Sequence, residues 1–407
     1  MGSALDTEAP VLDWLAARVP DMEALLCDLV SIDSNSTDAA GVAAVATRLE
    51  KFLHSANVEV SRISSGSDAP LLAAGVPGAA SVAPALMLGH MDTVFPMGAA
   101  AARPFRVAGN QLHGPGVADM KAGLVIEAFV LAALAATTTP ARPVTALFTV
   151  DEEIASPLSH LHIHAAARTA AFVLNAEPGR ANGNVVIERK GGMFGWLSVT
   201  GRASHAGIDF PAGASAITEL AHKIVDLERL TDLDSGITVN VGLVEGGQSI
   251  NTVAPDARAG IDIRYATPDQ RSNLLQAIDA IVSLNRDAAT SAAFDVIGEF
   301  HPMVPSEGSR ALLAVYQSAA ATLGFAAEGE ATGGCSDAGF AASLGIPTLC
   351  GLGPVGGKAH TEAEYVERGS ILPRAQALAL TLLRFPLDPP ELDTGSRRPL
   401  FNPPTDR

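Results

Sequence analysis

Apolar and polar residues follow two rhythms along this chain, and the change between them divides it. Leu25, Leu26, Leu29 and Val30, then Val42, Val45, Leu49 and Phe52, recur at helical spacing, so residues 10–56 are expected to be helical. A strand-like run follows at 58–63. Three further apolar runs share one design: 86–89 ends in His90, 144–150 ends in Asp151-Glu152-Glu153, and 171–175 leads to Glu177. Between the first two, 121–136 reads as a continuously apolar helix, preceded by Gly114-Pro115-Gly116-Val117-Ala118-Asp119. This alternation predicts an α/β fold with a mainly parallel, doubly wound sheet and helices on both faces. Ligands bind such sheets outside the carboxyl ends of the strands, where these polar residues fall.

From 192 to 300 the rhythm changes. Strands are expected at 194–199, 237–243 and 259–265, and helices at 213–230 and 268–284. A strand-helix-strand-strand-helix succession of this kind predicts an inserted α+β, ferredoxin-like domain. The α/β domain then comes in two parts, 1–191 and 301–385, the second holding helices at 309–323 and 371–384 around a strand at 346–350. The proline-rich tail, 386–407, is expected to be extended or disordered.

Composition narrows the function classes. Lys and Arg number 27 against 44 Asp and Glu, a net charge of −17, which argues against nucleic acid or an anionic membrane as partner. Cys27, Cys335 and Cys350 are scattered, without C-x-x-C spacing, and suit reduced thiols. A cytoplasmic location is therefore expected, or a periplasmic one if a signal preceded the sequence. The first residues lack a signal-like apolar core, and no apolar run is read as long enough to span a membrane.

The chemistry concentrates in a few places: His90 with Asp92, Asp119, Glu152 with Glu153, Glu177, and His360. His90 and Asp92, two apart in extended backbone, project to the same side, so the carboxylate can orient the imidazole or join it on a cation. A dinuclear zinc centre needs four or five such ligands, commonly with one bridging carboxylate, and a further carboxylate left free to take a proton from water. Adjacent Glu152 and Glu153 at a strand end diverge and suit that division.

His90-Met91-Asp92-Thr93, Gly114-Pro115-Gly116-Val117-Ala118-Asp119-Met120-Lys121, Asp151-Glu152-Glu153, Ala176-Glu177-Pro178-Gly179 and Gly333-Gly334-Cys335-Ser336-Asp337 together resemble the aminoacylase and carboxypeptidase-G family of co-catalytic zinc peptidases. Their order and approximate separations match over 15–385. The resemblance implies two Zn2+ per subunit, or other divalent ions such as Co2+ or Mn2+. His90, Asp119 and Glu177 would hold one, Asp119, Glu153 and His360 the other, with Asp119 bridging. Asp92 would stand behind His90, and Glu152 would be the general base acting on a hydroxide held between the ions. Gly201-Arg202-Ala203-Ser204-His205-Ala206-Gly207 resembles the family's lid and dimerisation domain, which implies a homodimer with His205 stabilising the oxyanion in the partner's site.

Asn251 resembles another lid residue near the scissile group. Arg264 lies where relatives place an arginine for the substrate carboxylate, which Gly333 and Gly334 would let backbone N–H groups approach, while Lys190 is a candidate for a second carboxylate. The implied reaction is hydrolysis of an amide that frees a C-terminal amino acid from a small conjugate or short peptide. His90 to Pro96 and Glu177-Pro178-Gly179 look most like glutamate carboxypeptidases acting on N-acyl, peptidyl or folate-like glutamates. The alternatives are an N-acyl-amino-acid deacylase of acetylornithine or succinyl-diaminopimelate type, a dipeptidase, or a non-enzymatic binding module of the same shell. His160-x-His162-x-His164 is expected on a solvated helix rather than a metal, and Cys335 is read as a pocket-wall residue.

Overall fold

The computed structural model describes residues 4–387, and most of the tail expectation for 386–407 lies outside them. The described chain forms two compact units, one from 4–188, 305–331 and 336–387, the other from 189–304 and 332–335.

The first unit is built on a six-stranded sheet. Its order runs Glu59–Ile63, Leu71–Val76, Val144–Thr149, Ala85–His90, Phe172–Asn175, Thr348–Leu349. The last four strands are mutually parallel, in a register that pairs Ala85 with both Val144 and Phe172. The first two are antiparallel and extend the sheet at one edge. The interior strands are continuously apolar because both faces are covered, and Ala85–His90 is buried at every position.

The apolar run after Asp119 is the helix Ala122–Thr137, packed against helices Ala4–Ala16, Val19–Val30, Ala39–Ser55 and Ile371–Arg384. Together with its preceding turn, Val117–Thr137 has the length and apolarity to cross a membrane, contrary to the reading from sequence. It is 83% buried in this unit, the environment of a core helix. Phe129 anchors it, its ring centroid 4.5 Å from that of Phe52 and 6.2 Å from that of Trp14.

The strand Leu71–Val76 escaped the pattern because its AlaAlaGly centre is weakly apolar. So did a four-stranded minor sheet of very short strands, Gly356–Gly357, Tyr365–Glu367, Gln111–His113 and Arg106–Ala108. Two- and three-residue strands carry too few alternations to be seen.

The second unit is an antiparallel sheet in the order Thr238–Gly246, Asp256–Tyr265, Gly191–Thr200, Ser291–Phe300. Helices Ala216–Glu228 and Pro268–Ser283 pack on it over Met193, Leu197, Val199, Leu220, Ile261 and Ile278. Pro268–Ser283 begins with a capping box, Thr267 accepting from the Gln270 N–H while Gln270 reaches back to the Thr267 N–H. The unit's fourth strand, Ser291–Phe300, mixes small, charged and apolar residues without a regular alternation and was not expected from the pattern.

Candidate active site

Three parallel strands deliver their polar residues to one end of the sheet. His90 is the last residue of Ala85–His90, Glu152 opens a single 3-10 turn just after Val144–Thr149, and Glu177 follows Phe172–Asn175 by two positions. Asp119 arrives from the tight turn Val117–Lys121 before the apolar helix. That turn depends on glycine at its start: Gly116 has φ +72°, and a Cβ there would lie 2.5 Å from Thr93 Cγ2. One turn later a Cβ on Gly123 would lie 2.0 Å from the Ala176 carbonyl oxygen, so this glycine lets the helix approach the strand end bearing Glu177. His360 sits in a loop at φ +62°, a backbone conformation that favours glycine and that gathers at functional sites.

The two carboxylate oxygens of Asp119 divide between two histidines. Oδ1 is 3.2 Å from His90 Nε2 and Oδ2 is 3.2 Å from His360 Nε2. Glu177 Oε1 lies 3.7 Å from His90 Nε2, Glu153 Oε2 lies 3.1 Å from His360 Nε2, and Glu152 Oε2 stands 4.0 Å from His90. Two groups able to hold a metal result, His90 with Asp119 and Glu177, and Asp119 with Glu153 and His360, the donor atoms of each within 4.8 Å of one another. Tetrahedral zinc at about 2.1 Å from each donor sets neighbouring donors about 3.4 Å apart, so the donor set and spacing fit.

The protonation states express the same crowding of like charge. Burial alone would depress the His90 imidazolium, but Asp119 and Asp92 outweigh it and hold its pKa well above the ordinary value. Hydrogen bonds to Asp119 and Glu153 push His360 up to about 10. Burial lifts Glu152 well above the usual carboxylate range, with Glu177, Glu153 and Asp337 adding to the shift and His90 opposing it.

A further layer holds these groups in place. Asp92, fully buried, lies 3.3 Å from His90 Nδ1, on the ring nitrogen turned away from Asp119. The same carboxylate accepts from the Glu152 and Glu153 N–H groups and from the Ser36 hydroxyl, at 3.1, 3.1 and 2.6 Å. Asp337, whose pKa burial raises to about 6, accepts from the hydroxyls of Thr149 and Ser156. Asp151 accepts from the Ser159 hydroxyl and the Leu158 N–H, closing the turn that carries Glu152 and Glu153. Lys121, 1% exposed, donates to the Ile32 carbonyl at 2.7 Å, and burial lowers its pKa to about 8.

Glu364 is the buried residue that sequence reasoning missed. It follows His360 by four positions, but nothing in an isolated acid after a loop histidine marks it as buried.

The remaining candidates belong to the second unit. His205 is exposed, its Nδ1 accepting from the Gly207 N–H at 3.1 Å. Asn251 is brought beside it by the bridge between His205 and Thr252 and by the Ala206 N–H donating to the Asn251 carbonyl. Arg264 already spends one edge of its guanidinium on Asp262, with two bonds of 2.7 Å, and its Nη1 donates to Cys335 Sγ at 2.8 Å. Lys190 donates to the Gly236 carbonyl and is engaged within its own unit. A Cβ on Gly333 would meet nothing within 4 Å, and one on Gly334 only Arg189 Nη1 at 3.6 Å, so the space beside both is open.

The solvated-helix expectation for His160 and His164 needs correction. Both are half-buried on helix His160–Ala167, with ring centroids 6.1 and 5.6 Å from Phe340. They serve as packing for that phenylalanine.

Comparison with known proteins agrees with this geometry. The model of Peptidase family M20/M25/M40 matches residues 86–384. Carboxypeptidase G2 of Pseudomonas sp. (strain RS-16) is 29% identical over 365 residues, covering 87% of this chain and 86% of that protein. The succinyl-diaminopimelate desuccinylase of Caulobacter vibrioides is 28% identical over 322 residues, covering 73% and 80%. The fold is also that of the M20 family metallo-carboxypeptidase Sso-CP2 from Sulfolobus solfataricus, with a TM-score of 0.74 at 17% identity over 89% of this chain and 98% of that one. With the family model spanning most of the chain and the family's metal-dependent chemistry matched by two groups of candidate ligands, this protein belongs to Peptidase family M20/M25/M40 and is an enzyme that hydrolyses amide bonds.

Proposed function

We propose that the enzyme is a dinuclear zinc carboxypeptidase that releases a C-terminal amino acid, glutamate first among the candidates, from N-acyl, peptidyl or folate-like conjugates. The observation that carries this reading is Asp119, whose two oxygens face His90 and His360 at 3.2 Å each. His90, Asp119 and Glu177 would hold one ion and Asp119, Glu153 and His360 the other. Bound there, the ions supply Lewis-acid polarisation of the scissile carbonyl and an acidified water.

Glu152 takes the proton of the attacking water. The water oxygen bonds to the carbonyl carbon, the C–N bond breaks, and Glu152 returns the proton to the leaving amine. The burial that lifts its pKa strengthens it as a proton acceptor. Asp92 keeps His90 in one tautomer and fixes the backbone of Glu152 and Glu153.

In this reading the second unit is a lid, and His205 and Asn251 act on the oxyanion and the scissile group. The substrate carboxylate goes to Arg264 with the open backbone at Gly333 and Gly334. Exposed Ile208, Phe210, Leu243, Val244 and Ile250 on that unit support a homodimer with His205 acting in the partner's site. The free thiols of Cys27, Cys335 and Cys350 fit a reducing, cytoplasmic setting.

Similarity to a desuccinylase favours a second reading, an N-acyl-amino-acid deacylase. The test combines metal analysis with a Glu152→Ala variant and a mass-spectrometric screen of conjugates varied at the C-terminal residue. Two zincs, hydrolysis lost in the variant and a preference for C-terminal glutamate are expected. A protein that binds no metal refutes the centre, and indifference to the C-terminal residue refutes the glutamate assignment.

A further inference from the structure

We infer that Glu364 is a positioning residue for the metal centre, locking the loop of Asp119 to the loop of His360; the inference rests on the metal-centre reading above. The Glu364 side chain is buried, with 1% of the residue exposed. Its carboxylate accepts three backbone N–H bonds from a single turn: Gly116 at 3.0 Å, Ala118 at 2.8 Å and Asp119 at 2.9 Å. Successive N–H groups converging in this way form a nest, a concavity that binds anions. Here the protein supplies the anion itself.

The minor sheet explains how a residue about 245 positions away reaches that nest. Strand Tyr365–Glu367 pairs antiparallel with Gln111–His113, setting Tyr365 opposite His113 and Val366 opposite Leu112. The pairing places Glu364 beside the start of the glycine turn, and a ring nitrogen of His113 lies 3.1 Å from the Glu364 carbonyl. One of the three donors is the N–H of Asp119 itself, so the bond fixes the main chain from which the shared carboxylate projects. Glu364 also closes the loop that presents His360, four residues before it. One side chain therefore sets the separation between Asp119 and His360, which metal chemistry tolerates within only about 0.5 Å.

Glu364→Gln keeps the shape and replaces one acceptor oxygen with an NH2 that faces N–H donors. The metal-stripped parent and variant are titrated calorimetrically with Zn2+, and the Co2+ absorption spectrum is recorded for each. Expected are an unchanged circular dichroism spectrum in the variant, a 10–100-fold weaker second ion, and altered Co2+ bands that Glu364→Asp, which restores both oxygens, moves back toward the parent. A variant with the parent's two affinities and Co2+ spectrum overturns the inference. If neither variant folds, amide exchange in the metal-free parent decides: protected Ala118 and Asp119 N–H groups support the lock, and free exchange overturns it. A parent that binds no metal refutes instead the centre on which the inference rests.

Discussion

His360 carries a proton that a metal ion must displace. Its pKa, pushed up to about 10 by Asp119 and Glu153, keeps the metal-free imidazole charged at neutral pH. Ions bind the neutral ring, so affinity at that position should rise as pH increases toward 10, about tenfold per pH unit for each proton released. Calorimetry in buffers of different ionisation enthalpy at pH 7 should register that release, and pH-independent binding would contradict it. The sign reverses for stability without metal. A pKa raised from 6.5 contributes stabilisation that is fully present below pH 6.5 and is lost as pH rises through about 10. Asp92 is the second residue whose removal should be informative. Asp92→Ala frees the Glu152 and Glu153 N–H groups and removes the carboxylate 3.3 Å from His90 Nδ1, leaving that nitrogen only the Asp92 carbonyl at 3.0 Å, and it should weaken zinc binding by about 10–100-fold in a protein that still folds, measured by chelator competition.

At the scale of elements, long apolar strands and helices were legible because each is covered on a known number of sides. Ala85–His90 reads as buried on both faces and is; Ile371–Arg384 has the bounds its periodicity predicts. The strand-end residues were legible together because one topology brings the ends of parallel strands to one side. What remained hidden depends on pairing between distant segments. Glu364 gains meaning only from the register of Tyr365 on His113, and the packing of His160 on Phe340 joins two helices 180 residues apart in sequence.

Lys223 is another such case. Buried within helix Ala216–Glu228, it lies 3.3 Å from Glu219 and donates to the carbonyls of Ile281, Val282 and Leu284 that end helix Pro268–Ser283. Lys223→Met would leave those carbonyls without their donor and Glu219 with only the Arg286 and Asp287 N–H groups, with a loss of about 3 kcal/mol from the second unit. Denaturant unfolding followed by Trp196 fluorescence should detect it, and an unchanged midpoint would show the pair to be dispensable.

For the whole molecule, the decisive question is whether one chain contains a complete site. The ligand groups lie in the first unit, whereas His205 lies in the second beside exposed Ile208 and Phe210. If His205 acts across a dimer, Glu152→Ala and His205→Ala homodimers are each inactive, but each lacks a different part. A mixed dimer then holds one site in which a Glu152 from one subunit meets a His205 from the other, and a second site lacking both. Refolding or co-expressing the two variants in equal amounts should therefore restore activity to about one quarter of the parent, because half the dimers are mixed and each has one good site of two. If His205 works within its own subunit, every site in every mixture lacks one of the two residues and no activity returns. Purifying the mixture in sequence through different tags on the two variants shows whether mixed dimers formed, and a parent that sediments as a monomer would by itself rule out the cross-subunit arrangement.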